Sequence, residues 1–286
     1  MKTAFFIFVF AVFSVFKGYS GGTMEAVNIQ EIELHNVQNI NILYNQWENV
    51  SVYNSPSEKF IIKEYMNRNS GSYYAQITNS GNTLTLEDGE RPFTPVINTF
   101  SARLEVYIPR SYRNTVTIKT RHGKIEIPNE LICAKINIEN ASGNIVINVI
   151  EAENIDLKTT GGNITINEVK GILNTNTSSG RVKVNAANGA ITAKTRSGSI
   201  VCTAGKDIGN VLLETSSGGI TLNLPENLAF GFSARTSGRL SAPFSGKLNR
   251  SESDRHLMEG IIGENPDREI NVKAGSWETI RIRWAE

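Results

Sequence analysis

The sequence predicts an all-β chain: a single-stranded, β-helix-like solenoid of about seven coils with irregular β caps at both ends. Three observations carry this reading. Glycines recur at near-constant spacing, aliphatic residues alternate on both sides of them, and identical polar residues return at fixed offsets.

Gly123, Gly143, Gly162, Gly180, Gly198, Gly218 and Gly238 follow one another at intervals of 18 to 20 residues, with Gly189 halfway between two of them. Around them the text recurs as RHGKIEI, ASGNIVI, TGGNITI, SSGRVKV, ANGAITA, RSGSIVC, SSGGITL and TSGRLSA. The second residue after each glycine is aliphatic (Ile125, Ile145, Ile164, Val182, Ile191, Ile200, Ile220, Leu240) and the fourth is always apolar. Alternation with a period of two is the pattern of a half-buried strand. Upstream, VTIKT, INIEN, IDLKT and VLLET alternate in the same way, but the inward positions on the two sides of the glycine are an odd number of residues apart. A straight strand would turn its apolar face outward across that interval, so the chain has to bend at the Ser-Gly. Glycine supplies the positive φ or cramped backbone of such a corner. All eight glycines are read as structural corners, and each unit as strand, corner, strand and second turn.

A stacked solenoid and a sandwich of hairpins both satisfy the alternation. Equivalent positions favour stacking: Asn148, Asn167, Asn185 and Asn223 stand five residues after their glycines, and Thr120, Thr159, Thr177, Thr195 and Thr215 three before. Identical side chains at the turns form hydrogen-bonded ladders when coils stack at about 4.8 Å and have no such reason to recur in a hairpin. Four before the glycine, Lys119, Glu139, Lys158, Asn176, Lys194 and Glu214 mix signs, as neighbours in a ladder should.

In chain order, residues 1–20 read as a signal peptide, with Lys2 ahead of an apolar run from Ala4 to Phe16 that is too short to span a bilayer. Residues 21–110 read as a β-rich N-terminal cap, with candidate strands IELHNV, INILYN, VSVYN, FIIKEY, YYAQIT, TLTLE and ARLEVYI. Residues 111–245 are the repeats, roughly 30 Å of stack. Residues 246–286 form a C-terminal cap ending in REINVKA and ETIRIRW, and Trp277 and Trp284 read as packing residues of that cap rather than ligand platforms. Caps are required because a bare solenoid end exposes strand edges and apolar core.

The chain of 286 residues has 29 Lys+Arg against 28 Asp+Glu, so net charge implies no general nucleic-acid binding. Three His and two Cys exclude a multi-cysteine zinc site or a disulfide framework. Cys133 and Cys202 lie more than three coils apart, beyond the reach of a disulfide, so both are expected as free thiols, Cys202 at an inward position. Catalysis on a β-helix needs carboxylates gathered on one outer face, whereas Glu126, Glu139, Asp156, Glu168 and Glu214 are scattered relative to their glycines. His35, His122 and His256 are far apart, with His122 read as a solvated corner residue. The turns lack the aspartates of calcium-loaded β-rolls, and the glycine tracts lack the Lys-Ser/Thr of a phosphate loop. Neither catalytic residues, a cofactor nor a metal site is assigned.

The stretches TSSGRVKVNAANGAITAKTRSGSI, LETSSGGITLNLPENLAFGFSARTSG and REINVKAGSWETIRIR resemble a bacterial adhesin-like family of unknown function, related in style to the head GIN domains. NVSVYNSPSEKFIIKEY and YYAQITNSGNTLTLEDGE extend the resemblance to about residues 28–286, while Gly275-Ser276-Trp277 departs from the Ser-Gly corner. The resemblance implies an exported or envelope-associated β-solenoid and supplies no catalytic residues. Three classes of function follow: a non-enzymatic binding or scaffold surface for an envelope protein or glycan, an envelope-stress component that binds a signalling partner or peptide, and a polysaccharide-active enzyme. The mature chain is expected in the periplasm, on the cell surface or released, without a transmembrane segment.

Overall fold

The computed structural model describes residues 25–45, 48–90, 100–244, 248–250, 256–275 and 277–285, so the expected signal peptide lies outside the described residues. Strands β1 (Asn28–Glu33), β2 (Asn39–Tyr44), β3 (Asn49–Ser55), β4 (Lys59–Met66), β5 (Gln76–Ser80), β6 (Thr83–Glu87) and β7 (Ala102–Pro109) precede the repeats. The repeats supply β8 (Thr115–Thr120), β9 (Ile125–Ile132), β10 (Lys135–Asn140), β11 (Ile145–Thr159), β12 (Ile164–Thr177), β13 (Val182–Thr195), β14 (Ile200–Thr215) and β15 (Ile220–Leu224). Then come β16 (Phe230–Arg235), β17 (Leu240–Ser241), β18 (Leu248–Arg250), β19 (Leu257–Ile262), β20 (Glu269–Ala274) and β21 (Ile280–Trp284).

Every pairing within the repeats is parallel, which selects the solenoid over the sandwich. One wall stacks β8, β10 and the second halves of β11 to β14, so that Val116, Ile136, Ile155, Leu173, Ile191 and Val211 form one inward row. The other wall stacks β9, the first halves of β11 to β14, and β15, with Ile125, Ile145, Ile164, Val182, Ile200 and Ile220 in a second row. Both rows are buried. The alternation read in the sequence is this wall geometry: successive side chains face core and solvent in turn.

The stack does not stop where the glycine period stops. Strand β2 lies in parallel between β8 and β6, placing Ile40 opposite Val116 and Leu84. Strand β3 lies between β9 and β7, placing Val50 opposite Ile125 and Leu104. The same inversion of chain order occurs at the other end. Strand β20 sits between β14 and β16, and β21 between β15 and β17. At each end, the coil nearest the chain terminus is thus slotted one place inside the stack, and a segment from deeper in the sequence forms the outermost coil. Antiparallel strands close the edges, β5 on β6, β4 on β7 and β1 on β4 at one end, β19 on β16 and β18 on β19 at the other. Hence β2, β3, β6, β7, β20 and β21, expected within the caps, stack in register with the repeats, while β16 and β17, expected in the last repeat, are outermost at the C-terminal end.

Phe230, Phe232, Phe244 and Trp284 fill the C-terminal end of the core, with Phe244 5.0 Å from Trp284 and 5.3 Å from Phe232 between ring centroids. Trp284 is the packing residue that the sequence suggests. Trp277 is not: it is 88% exposed, on the turn between β20 and β21, with φ of 66°.

Close approach accounts for the glycines. A Cβ on Gly143, Gly162, Gly180, Gly198 or Gly218 would overlap the carbonyl oxygen of the corner glycine one coil earlier, and on Gly123 that of Glu48. None of these is in the left-handed region, so of the two reasons for glycine, cramped backbone is the one that holds. Gly238 meets the same limit against Glu278 of the inserted coil. Gly189 does not belong to this column. It has φ of 102° and stacks on Gly171, itself at 121°, in the second turn. Its position halfway between corners is the geometry of the opposite edge.

Candidate functional site

Two edges run the length of the stack, one at the Ser-Gly corners and one at the second turns. The Ser-Gly edge is held by side chains that point inward. Thr159 Oγ1 accepts from the Gly162 N–H (3.1 Å) and donates to the Gly143 carbonyl of the coil before (3.3 Å). Thr177 repeats both bonds with Gly180 and Gly162, and Thr195 and Thr215 donate to Gly180 and Gly198. Asn140 substitutes in its coil, donating to the Gly123 carbonyl (2.5 Å) and accepting from the Gly143 N–H (2.8 Å). The threonine ladder therefore runs through glycine backbone inside the wall rather than from hydroxyl to hydroxyl outside it. Each bond satisfies a buried peptide group that the tight corner removes from solvent.

The asparagines behave as the sequence suggests. Asn167 donates to Asn148 (3.2 Å), Asn185 to Asn167 (3.3 Å), and Asn223 to Thr203 (3.0 Å), which takes the place of an asparagine in its coil. On the other wall, Asn137 donates to Thr117 (3.4 Å) and Asn174 to Asp156 (3.2 Å). These amides and hydroxyls face solvent in straight rows.

Beside the Ser-Gly edge, the row Lys119, Glu139, Lys158, Asn176, Lys194, Glu214, Lys273 and Arg235 is in register across successive coils. Lys119 and Lys158 share Glu139 at 3.0 and 4.0 Å, and Lys194 meets Glu214 at 2.8 Å. Between this row and the corners runs a shallow groove. One stretch of about 460 Å³ is lined by Lys119, Glu139, Lys158, Thr160, Asn176 and Ser178 among others. The next, about 320 Å³, shares Asn176 and Ser178 and continues to Lys194, Arg196, Glu214, Ser216 and Lys273.

Charge divides between the edges. The corner segments 121–124, 141–144, 160–163, 178–181, 196–199 and 216–219 carry Arg121, Lys124, Arg181 and Arg196 and no carboxylate, while the corner of the inserted coil carries Glu278 after Trp277. The second-turn edge carries Glu130, Glu151, Glu153, Glu168, Asp207, Glu226 and Asp267 against Arg113, Lys135, Lys170, Lys206 and Arg268. A chain with net charge +1 thus presents one cationic edge and one edge of mixed sign.

The carboxylates weighed for catalysis are dispersed. In register, Glu139 stands between Lys119 and Lys158, Asp156 between Asn137 and Asn174, Glu214 between Lys194 and Lys273, and Glu168 between Val149 and Ala186. Glu126 stands between Ser51 and Val146 and pairs with Lys124. His122 does come within 2.9 Å of Ser142, one coil on, but on an exposed corner. That meeting needs the 20-residue coil register, which the sequence text does show, since both residues precede a corner glycine. Among the described residues, no group of three His, Cys, Asp or Glu is placed to hold a metal ion. Cys133 and Cys202 are free and buried, and burial pushes both thiols up to about 12, far from thiolate reactivity.

A cavity of about 860 Å³ lies at the N-terminal end between the loops around His35, Glu58 and Arg113. Its carboxylates are hydrogen-bonded locally, Glu33 to His35 Nε2 at 2.8 Å and Glu58 to the Ser111 hydroxyl. Nearby in the same end region, Glu64 is buried on β4, accepting from Asn28 Nδ2 (2.7 Å) and the Ala75 N–H (2.8 Å), and its burial raises the carboxyl to about 7.

A family model described as Toastrack DUF4097 matches residues 29–276. The chain belongs to the Toastrack DUF4097 family. The adhesin-like resemblance and the β-solenoid reading both agree with this membership. Solved structures similar to this Toastrack chain include a putative adhesin from Bacteroides fragilis, 14% identical with a TM-score of 0.49, covering 89% of this chain and 95% of that one. A putative adhesin from Parabacteroides merdae is 9% identical with a TM-score of 0.42, covering 91% and 96%. A putative cell adhesion protein from Clostridium sporogenes is 12% identical with a TM-score of 0.31, covering 90% and 98%. No curated protein matches the sequence. No helix among the described residues is long and apolar enough to cross a membrane.

Proposed function

We propose that this Toastrack chain is an exported, non-enzymatic binding surface of the bacterial cell envelope, working through the outer rows of its walls and edges. The observation that supports this most is the register itself. It aligns exposed amides, hydroxyls and charges in straight rows along the stack while surrounding each outer carboxylate with neutral or cationic neighbours. Rows of that kind recognise an extended partner by repetition. Acid–base chemistry instead needs two titratable groups converging on one enclosed point. The apolar run at the N-terminus supports export. We also propose the division into signal peptide 1–20, N-terminal region 21–110, repeats 111–245 and C-terminal region 246–286, with the eight glycines as structural rather than chemical residues.

Fractionation of the native host, combined with pull-down from envelope fractions, tests the reading. It expects the mature chain outside the cytoplasm and retention of an envelope protein or glycan. A cytoplasmic full-length chain that retains no envelope component refutes it.

A further inference from the structure

We propose that the Ser-Gly edge docks a linear anionic glycan, laid along the stack axis in the groove from Lys119 to Lys273, with one sugar ring on Trp277. The proposal rests on the reading of the protein as a binding surface and names the ligand class of that surface.

Charge complementarity is the first argument. Lysines recur in the groove row at Lys119, Lys158, Lys194 and Lys273, six coil steps from end to end, or about 30 Å. Their intervening carboxylates leave cations in excess: Lys119 and Lys158 share the single Glu139, and Glu214 stands between Lys194 and Lys273. Arg196 lines the same groove and makes no ion pair among the described residues. Because the opposite edge interleaves both signs, with Arg113, Lys135, Lys170, Lys206 and Arg268 among its carboxylates, an anionic polymer is drawn to the Ser-Gly edge in preference.

The lining chooses among polyanions. Thr160, Asn176, Ser178 and Ser216 offer donors and acceptors together, which suits sugar hydroxyls. A nucleic acid would call for successive aromatic platforms, and the groove lining has none. A membrane surface would call for apolar side chains to insert, and these are missing from the lining as well.

Trp277 is the second, independent observation. Its left-handed backbone costs about 1–2 kcal/mol, and its ring, 88% exposed, recovers almost nothing by packing. It follows Lys273 on the turn of the inserted coil, where the other coils place the Ser-Gly corner. An open indole on the corner that follows Lys273, the last lysine of the groove row, is a platform for one sugar ring.

The test is binding of the mature chain to size-defined polygalacturonate by titration calorimetry, with dextran, single-stranded DNA and anionic phosphatidylglycerol vesicles as parallel probes. Polygalacturonate is expected to bind with an affinity that falls as salt rises, and dextran is expected not to bind. The triple variant Lys158→Gln/Arg196→Gln/Lys273→Gln should lose about tenfold or more of that affinity. Lys135→Gln/Lys170→Gln/Lys206→Gln, on the second-turn edge, should keep affinity. Trp277→Gly relieves the backbone, so it should fold normally and still weaken binding. Equal loss from both triple variants, full affinity in Trp277→Gly, tighter binding of DNA or vesicles, or no binding of polygalacturonate each overturns the proposal. If polygalacturonate fails while the envelope pull-down still retains a partner, the glycan falls and the binding-surface reading stands.

Discussion

Gly161 and Gly162 are adjacent in sequence, and the structure assigns them opposite tolerances. An alanine Cβ at Gly162 would lie inside the carbonyl of Gly143 and 3.0 Å from Thr159 Oγ1, whereas at Gly161 the nearest atom is 3.8 Å away. The coil at Gly162 can accept the methyl only by lifting off its neighbour. That movement strains the corner and stretches the Thr159 bonds to Gly143 and to residue 162. Overpacking of this kind costs about 1–3 kcal/mol, and weakening a buried bond adds about 1 kcal/mol, so Gly162→Ala should destabilise by roughly 2–4 kcal/mol. Gly161→Ala should fall within about 0.5 kcal/mol of the parent, or stabilise slightly by restricting the unfolded chain. Urea unfolding followed by far-ultraviolet circular dichroism reads both as shifts in midpoint at constant slope. Equal midpoints for the two variants would refute the close-packed corner.

Thr177→Val keeps the shape but leaves the Gly180 N–H and the Gly162 carbonyl without their hydroxyl partner, so a loss of about 1–3 kcal/mol is expected in the same urea assay. Glu64 has a folded value of about 7, above its ordinary 4.5, so its neutral form is the one the fold prefers. Stability from this site is complete below about pH 4.5 and declines by about 3 kcal/mol as pH rises through 7. Glu64→Gln should flatten that decline in melting temperature between pH 5 and 8, and an unchanged pH profile would count against it. Cys202, wholly buried and pushed up to about 12, should resist a thiol reagent at pH 8 until denaturant is added, whereas prompt labelling in the folded state would contradict the register that points it inward.

The middle of the solenoid was legible because one physical constraint, the contact of each corner with the carbonyl beneath it, forces glycine coil after coil. Where the constraint changes form, the text falls silent. The corner of the 39–55 coil is closed by Glu48 and Asn49 rather than by Ser-Gly, so β2 and β3 carry no period and read as an irregular cap. The excursions 56–82 and 242–268 separate coils that touch, and no local pattern records that 269–284 slides in ahead of 230–241. Thr177 and its equivalents were visible as a series, but their direction was not: a threonine three before a glycine fits an outer ladder and an inner bond equally well until the corner's angle is known. Trp277 misled for a simpler reason. Tryptophan favours burial, and only the turn geometry shows the ring left outside. The cationic edge was hidden by the whole-chain sum, in which its charge is offset by carboxylates elsewhere in the chain.

The slotting of each terminal coil one place inside the stack has a mechanical consequence. A solenoid laid down strictly in sequence order can be unzipped by a pull on either end, one ladder of hydrogen bonds at a time. Here a pull on residue 28 or on residue 284 soon reaches a coil gripped on both faces, β2 between β6 and β8, or β21 between β15 and β17. Two ladders must then give way together, and the load spreads into the stack instead of peeling its rim. For a chain tethered at one terminus and bound along its side, the fold is knotted against traction without any knot in the backbone.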